Sequence, residues 1–116
     1  MKYFYRLQIS FSPNKETLSS LNSILGIEYL TEDENPSEWW YKVEQNESDE
    51  YFDFINQFLN ILETKYSDLE KLNIKRDDIT IWMIYEYDDQ CNMAFDPQRL
   101  KRIGENGITL CISCYG

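Results

Sequence analysis

Two cysteines, Cys111 and Cys114, stand in a C-x-x-C arrangement that can serve redox chemistry or hold a metal. Thioredoxin-type pairs open a helix, whose N-terminus stabilises the thiolate. Here the pair lies in an alternating segment that predicts a strand, where residues three apart point to opposite faces. With Cys91 the count is odd, as expected for reduced thiols. We interpret all three as ordinary residues of a protein in a reducing compartment.

Histidine is absent from the chain. Its absence removes Ser-His and Cys-His nucleophile pairs and the usual general base near neutral pH. Zinc sites that use histidine are removed as well. We therefore predict neither a metal nor a cofactor, and any catalysis would have to use carboxylates, cysteine, lysine or tyrosine.

Neighbouring carboxylates occur at residues 77–78, 88–89 and 47–50. Glycosidase-type chemistry needs two carboxyl groups across a cleft, one of them with its pKa raised by burial. These acids lie in predicted loops and first helical turns, where water solvates them, so an enzyme is the less favoured interpretation. Residues 88–92 are similar to a calcium loop, but Met93 stands where the turn glycine should be.

The acids are concentrated in one part of the chain. Ten of the 21 lie within residues 28–53, where Lys42 is the single base, so this stretch carries almost the whole net charge of −10. A concentrated charge of one sign steers oppositely charged partners toward it. It also repels phosphate, which disfavours nucleic acids and anionic membranes. A basic protein is the predicted partner.

Adjacent tryptophans, Trp39 and Trp40, follow residues 31–38, which are predicted to form a polar loop. Trp39 and Trp40 lie in one strand and cannot both face the core. Trp40 shares its face with Lys42 and Glu44, so we predict that Trp40 is exposed, with Trp82 on the same sheet face. A partly exposed tryptophan ringed by acids is typical of an interface hot spot; the alternative is that both pack under loops or a dimer partner. The residues predicted to bind the partner are Glu32, Asp33, Glu34, Glu38, Trp40, Glu44, Glu47, Asp49 and Glu50.

The predicted elements of the first half follow from hydrophobic spacing and from turn residues. Alternation predicts strands, and leucines on one helical face followed by glycine predict a helix with its end. The predicted order is a strand at 3–11, a helix from Ser12-Pro13 to Gly26, a short strand at 27–30, a polar loop at 31–38 and a strand at 39–45.

The second half opens with the longest predicted helix, residues 49–72, whose apolar residues recur at three- and four-residue spacing. Ser48 is its predicted cap, and the acids that follow suit the helix dipole. The remaining predicted elements are a strand at 79–87, a helix from Asp96-Pro97 to Gly104 or Gly107, and a strand at 108–115.

These elements predict an α+β fold in a single domain, residues 1–116. The expected architecture is a mixed sheet of about five strands in the order β-α-β-β-α-β-α-β, with helices packed mainly on one face. A chain of 116 residues can bury a core without disulfides. No apolar run is long enough to span a bilayer, and the N-terminus alternates instead of forming a signal-peptide core. We therefore expect a cytoplasmic protein.

Several of these segments resemble the bacterial domain-of-unknown-function 4279 family. The similar features are the opening strand, the helix ending in LGI at residues 25–27, the tryptophan strand, the long helix and the closing FDPQRLKRIGENGITLCISCYG at residues 95–116. The likeness spans nearly the whole chain except residues 31–38 and contains no catalytic signature. Because small proteins of this type occur among bacterial toxin-immunity genes, the resemblance implies an immunity role without naming a toxin.

Three classes of function remain. The favoured one is an acidic inhibitory binding protein, a bacterial immunity protein that masks the active surface of a basic, nuclease-like toxin. The second is a homo-oligomeric structural or regulatory domain that uses the aromatic sheet face. The third is a carboxylate-based enzyme. Capture of a basic partner whose affinity falls with salt would favour the first class. A mass in light scattering that rises with protein concentration would favour the second.

Overall fold

A computed structural model describes residues 2–46, 49–86 and 93–115 of the chain. The strands of this part are β1 (Lys2–Ser10), β2 (Glu38–Asn46), β3 (Ile79–Glu86) and β4 (Thr109–Tyr115). The helices are α1 (Lys15–Leu25), α2 (Phe54–Leu62), α3 (Tyr66–Lys71) and α4 (Pro97–Asn106), with a 3-10 turn at Arg76–Asp78.

The four strands form one mixed sheet in the order β2-β1-β3-β4. Strand β1 runs antiparallel to both neighbours, with Arg6 opposite Lys42 on one side and Trp82 on the other. Strands β3 and β4 are parallel and place Trp82 opposite Cys111. Helix α4 lies between them in the chain, since parallel neighbours need a crossover connection. The predicted α+β class is confirmed.

The helices pack on one face of this sheet, because strands β1 and β3 bury every second residue on that side. Apolar residues of all four helices join them in a single core. The opposite face, here called the open face, contributes nothing to that core. By the strand register its members include Phe4, Arg6, Gln8, Trp40, Lys42, Glu44, Thr80, Trp82, Ile84, Cys111 and Ser113.

Helix α1 begins two residues later than the Ser12-Pro13 start that the sequence predicts. The side-chain oxygen of Asn14 accepts hydrogen bonds from the backbone N–H of Glu16 (2.8 Å) and Thr17 (3.4 Å), so Asn14 is the cap. The predicted end is confirmed, because Gly26 adopts the left-handed conformation with φ 69°.

The short strand predicted at residues 27–30 does not form. The side chain of Asn22 accepts a hydrogen bond from the backbone N–H of Tyr29 (3.0 Å) and donates one to its carbonyl (3.3 Å). Those are the backbone groups that a strand would use to pair with a neighbour, so the segment is fixed as a loop. The described sheet therefore has four strands, and the predicted five-strand order is confirmed only in part.

The long helix predicted at residues 49–72 is wrong in extent. Residues 49–53 are not helical, since the amide of Gln45 donates to the carbonyl of Glu50 (2.8 Å) and accepts from the N–H of Phe52 (3.1 Å). Asp53 caps α2, and a turn at 63–65 separates α2 from α3. The predicted cap Ser48 lies outside the described residues.

The other predicted elements are confirmed to within one or two residues. Strands β2, β3 and β4 match 39–45, 79–87 and 108–115, although residue 87 lies outside the described part. Asp96 caps α4 with Pro97 in its first turn, and Gly107 ends it at φ 69°. No helix in the described ranges is both long and apolar enough to cross a membrane.

Candidate functional site

The acidic loop, residues 27–37, joins α1 to β2 and is anchored by a buried tryptophan. Trp39 is fully buried, and its indole N–H donates to the side-chain oxygen of Asn22 (2.9 Å). The same Asn22 side chain holds both backbone groups of Tyr29. One amide on α1 therefore fixes the start of the loop relative to the first turn of β2.

The rest of the loop is ordered by short-range hydrogen bonds. The Thr31 hydroxyl accepts from the N–H of Asp33 (3.1 Å), and the Asp33 carboxylate accepts from the N–H of Asn35 (3.1 Å). At the far end, the carbonyls of Pro36 and Ser37 accept from the segment between β1 and α1 at 3.0 and 2.9 Å. The loop is thus tied down at both ends and turned locally in between.

This loop presents carboxylates that the fold does not use. Glu28, Glu32 and Glu34 are exposed, and within the described residues their carboxylates have neither a hydrogen-bond nor an ion-pair partner. Asp33 and Glu38 line a small hollow of about 100 Å³ beside the loop. Two acids around a hollow of this size can receive the charged end of a lysine or arginine side chain.

Trp40 lies on the open face, as predicted, but it is half-buried instead of exposed. Its indole N–H donates to the Glu38 carboxylate (2.9 Å), and the Arg6 guanidinium lies 4.3 Å from its ring centroid. The ring of Tyr29, from the acidic loop, lies 6.3 Å away. These three contacts hold the indole ring of Trp40 in one orientation beside the acidic loop.

Arg6 lies between two tryptophans on the open face. Its guanidinium carbon is 4.3 Å from the ring centroid of Trp40 and 5.0 Å from that of Trp82, which is cation–π distance on both sides. Burial lowers the pKa of Arg6, and the nearby Glu38 carboxylate opposes that shift. The Nε of Arg6 and the Nε1 of Trp82 are buried without a hydrogen-bond partner.

The other predicted partner-binding residues lie elsewhere. Glu44 is on the open face and pairs with Lys2 (3.2 Å). Asp49 accepts from the N–H of Asn46 (2.8 Å) beyond the end of β2, and Glu50 is exposed next to it. The structure therefore separates Asp49 and Glu50 from the acidic loop by the length of β2, which is about 26 Å for nine residues. Glu47 lies outside the described residues.

Beyond the turn that Asp49 closes, acidic residues form ion pairs between helices. Asp53 caps α2 and pairs with Arg99 on α4 (2.9 Å), while Arg99 also pairs with Asp96. The hydrogen bonds from Arg99 lower the pKa of Asp53, and the guanidinium of Arg102 lowers the pKa of Glu63 in the same way. Among described carboxyl groups, every clear pKa shift is downward, which suits ionised pairing partners and not general acids.

The strand register confirms that Cys111 and Cys114 point to opposite faces of the sheet, as predicted. Cys111 is opposite Trp82 on the open face, and Cys114 is opposite Tyr85 on the other face, so the two sulfurs diverge. Cys111 is a free thiol. Cys91 and the calcium-like run at 88–92 lie outside the described residues. In the part of the chain that the structure covers, no three His, Cys, Asp or Glu residues come close enough to hold a metal.

A cleft at the far end of the sheet is a second candidate site, and sequence reasoning missed it. Its volume is about 320 Å³, and it lies where β1, β2 and β3 meet the segments that precede α2 and α4. Tyr3, Tyr5 and Tyr85 line it from the strands, with Phe54 and Phe95 opposite. In the sequence, the tyrosine alternation in β1 was the one indication of this cleft. The segments that face these tyrosines, before α2 and before α4, belong to no predicted strand, so the sequence did not indicate that they lie nearby.

Comparison of the chain with protein-family models, with curated proteins and with solved structures finds no match. The resemblance to the domain-of-unknown-function 4279 family therefore stays a prediction drawn from motifs. A fold of this kind does not by itself identify an activity, so function is argued from the sites.

Proposed function

We propose that the protein is an acidic inhibitory binding protein, most specifically a bacterial immunity protein that masks the active surface of a basic, nuclease-like toxin. The observation that carries the proposal is the acidic loop. Its carboxylates on Glu28, Glu32 and Glu34 have no partner within the described residues, yet the loop that bears them is held in place by side-chain hydrogen bonds.

The chain's own bases do not neutralise this loop. All four arginines are engaged elsewhere: Arg6 between tryptophans, Arg76 over the Tyr66 ring, Arg99 with Asp53, and Arg102 with Glu63. None of these partners belongs to residues 27–37. The negative potential at the loop is therefore available to another molecule, and it would speed association with a basic surface.

Order in the loop lowers the entropic cost of binding. A flexible acidic segment would lose backbone and side-chain freedom when it pairs with a partner, whereas residues held by Asn22, Thr31 and Asp33 have lost much of it on folding. The carboxylates without partners also keep their hydration until a partner arrives, so the pairs that form at the rim are sensitive to salt.

Trp40 contributes a rigid apolar surface beside these charges. Its orientation is set by Glu38, Arg6 and Tyr29, and it borders the same end of β2 as the loop. Partners of acidic surfaces use lysine and arginine side chains, whose apolar stems can lie on an indole while the charged end reaches a carboxylate. The hollow lined by Asp33 and Glu38 is the proposed place for that end.

The test begins with the partner captured from the source cell and identified, and then measures its affinity by titration calorimetry. The variant Glu32→Gln/Asp33→Asn/Glu34→Gln removes three loop charges and keeps the turn-forming oxygen of residue 33. We expect its affinity to fall by about tenfold or more at low salt. We also expect the wild-type affinity to fall between about 50 and 300 mM salt.

A matched control is Glu16→Gln/Glu70→Gln/Asp77→Asn. These acids are exposed, their carboxylates have no partner in the described structure, and the change in net charge is the same. The control should bind as the wild type does, within about twofold. Equal losses in both triple variants would mean that net charge alone acts and that the loop is not the interface.

A homo-oligomeric structural or regulatory domain is the second candidate, favoured by the outer edge of β4. Its sequence TLCISCY carries no charge and no proline, and the described residues pair it only with β3. Natural proteins usually protect such edges or cover them with another chain. Light scattering over a range of concentrations tests this candidate, and substitution of Ser113 by Lys on this strand should lower any oligomer mass.

A further inference from the structure

The cleft at the far end of the sheet is built from aromatic rings that stack in series. Tyr85 stacks on Tyr3 with ring centroids 4.7 Å apart, and Tyr5 stacks on Phe54 at the same distance. Tyr3 and Tyr5 are 6.4 Å apart with planes only 7° from parallel. The four rings thus share one approximate orientation. A volume of about 320 Å³ is at the small end of the range of ligand pockets.

Tyr5 gives this cleft a polar group that the fold leaves unused. The residue is only 2% exposed and lines the cleft, yet its hydroxyl has no hydrogen-bond partner in the described structure. The hydroxyl oxygen itself is not buried, so water in the cleft can solvate it until a ligand group replaces that water. Burial raises the pKa of Tyr5 to about 12, so the hydroxyl keeps its proton at neutral pH.

Among the described residues that line the cleft, Asp49 is the one with a charge, and the hydrogen bond to the N–H of Asn46 uses only its Oδ2 oxygen. Gln45 braces the adjacent turn by binding backbone groups of Glu50 and Phe52. The second carboxylate oxygen of Asp49 therefore remains available at a fixed position, where it attracts a cation and repels an anion.

We propose that this cleft is a binding site for a small aromatic amine, whose flat ring lies among the tyrosine and phenylalanine side chains and whose ammonium group pairs with Asp49. The hydroxyl of Tyr5 makes the hydrogen bond that orients a polar atom of the ring. Aromatic walls with a few placed polar groups are the usual composition of such sites. The site is separate from the acidic loop and is independent of the function proposed for that loop.

The experiment uses two probes that share a ring and differ in charge, tryptamine and indole-3-acetate. Binding to the full chain is measured by chemical-shift titration, with resonances of the cleft residues as the readout. We expect tryptamine to bind with a dissociation constant of about 1 mM or lower and indole-3-acetate about tenfold more weakly. Substitution Asp49→Asn should bring the two dissociation constants close together.

Two further variants separate the site from the stability of the fold. Tyr5→Phe should weaken tryptamine binding by about fivefold and leave the unfolding temperature unchanged or raised, because the hydroxyl has no partner to lose. Ala94→Trp fills the cleft from an exposed position and should abolish binding. Tyr115→Phe, an exposed tyrosine on β4, is the matched control and should bind tryptamine normally.

Three results would overturn the proposal. One is equal affinity for the two probes in the wild type, and another is the absence of cleft shifts at about 10 mM tryptamine. The third is unchanged binding in Ala94→Trp, which would place the probe elsewhere. Should Tyr5→Phe lose stability, its hydroxyl has a partner in the native fold, and its role as an unused ligand group is then wrong.

Discussion

The two ends of strand β2 carry acids of the same type in different states. At the start of β2, the acidic loop exposes Glu32 and Glu34, whose carboxylates have no partner in the described residues. Beyond its end, Asp49 closes a turn and Asp53 caps α2 while pairing with Arg99. The chain is acidic throughout this stretch, but the exposed glutamates of the acidic loop have no partner in the described residues, whereas Asp49 and Asp53 accept hydrogen bonds from the chain itself.

This difference shows that a count of charges is a poor measure of a binding surface. An acid that accepts hydrogen bonds from its own chain contributes to the stability of the fold. The same hydrogen bonds reduce its attraction for a partner molecule. An acid without such bonds contributes self-repulsion to folding and attraction to binding. The two groups should therefore respond in opposite directions when their charges are removed.

The largest expected effect is at Asp53. Asp53→Ala removes the α2 cap, the bond to Asn56 and the pair with Arg99, so the free energy of unfolding should fall by about 2 kcal/mol in urea denaturation. Glu50→Ala is the control three residues earlier, with an exposed and unpaired carboxylate. It should change stability by less than about 0.5 kcal/mol. Equal losses of stability in the two variants would show that paired and unpaired acids contribute alike to the fold.

The pH dependence of stability gives the next effect. The lowered pKa values of Asp53 and Glu63 mean that both contribute stability above their ordinary pKa values of 3.8 and 4.5, and that this contribution is lost as the pH falls below them. The variant Asp53→Asn/Glu63→Gln should therefore lose stability less steeply than the wild type between about pH 5 and pH 3. Parallel curves would show that these acids are not coupled to folding.

Glu38 is the exception at the loop end, because its carboxylate accepts from Trp40 (2.9 Å) and Gln8 (3.5 Å). Glu38→Ala should cost about 1 kcal/mol in thermal unfolding and shift the fluorescence of Trp40, because the indole loses its partner. Glu34→Ala, four residues away on the acidic loop, should have almost no effect on either measurement. If Glu38→Ala leaves the stability unchanged, the Glu38 carboxylate belongs with the acids that have no partner in the fold.

The smallest expected effect has the opposite sign. Glu32→Gln/Asp33→Asn/Glu34→Gln should raise the free energy of unfolding by about 0.3 kcal/mol at low salt, because it relieves repulsion within the loop. The gain should vanish at about 1 M salt, where screening acts over about 3 Å. A loss of stability at low salt would show that these carboxylates take part in folding after all.

Much of the fold follows from local patterns. Alternation placed Trp39 in the core with Trp40 and Trp82 on the other face, and the register confirms it. The cap of α4, Asp96, was also predicted, and of the two predicted ends, Gly104 and Gly107, the structure has Gly107. The strand predicted at 27–30 failed because a side chain on α1 bonded its backbone. The long helix failed because its apolar spacing continued through residues that a glutamine on β2 holds in a turn.

The sites were predictable only in part. Concentration of charge in the sequence identified the acidic loop, but it grouped that loop with Asp49 and Glu50, which β2 holds apart. For the cleft the sequence offered only the tyrosine alternation of β1, since its other aromatic residues are spread as far as Phe95 and are typical of ordinary core positions. Local spacing describes neighbours a few residues apart and does not show which distant segments of the chain meet in the fold.

By itself, the sequence determined which residues share a strand face, where α4 begins, and that residues 28–53 hold nearly all the net charge. Only the tertiary structure decided which of those charges are free. Asp53 has its partner Arg99 46 residues away, and the open face has its arginine between tryptophans from two other strands. A carboxylate near water costs little whether paired or not, so its state depends on which cation the folded chain brings to it.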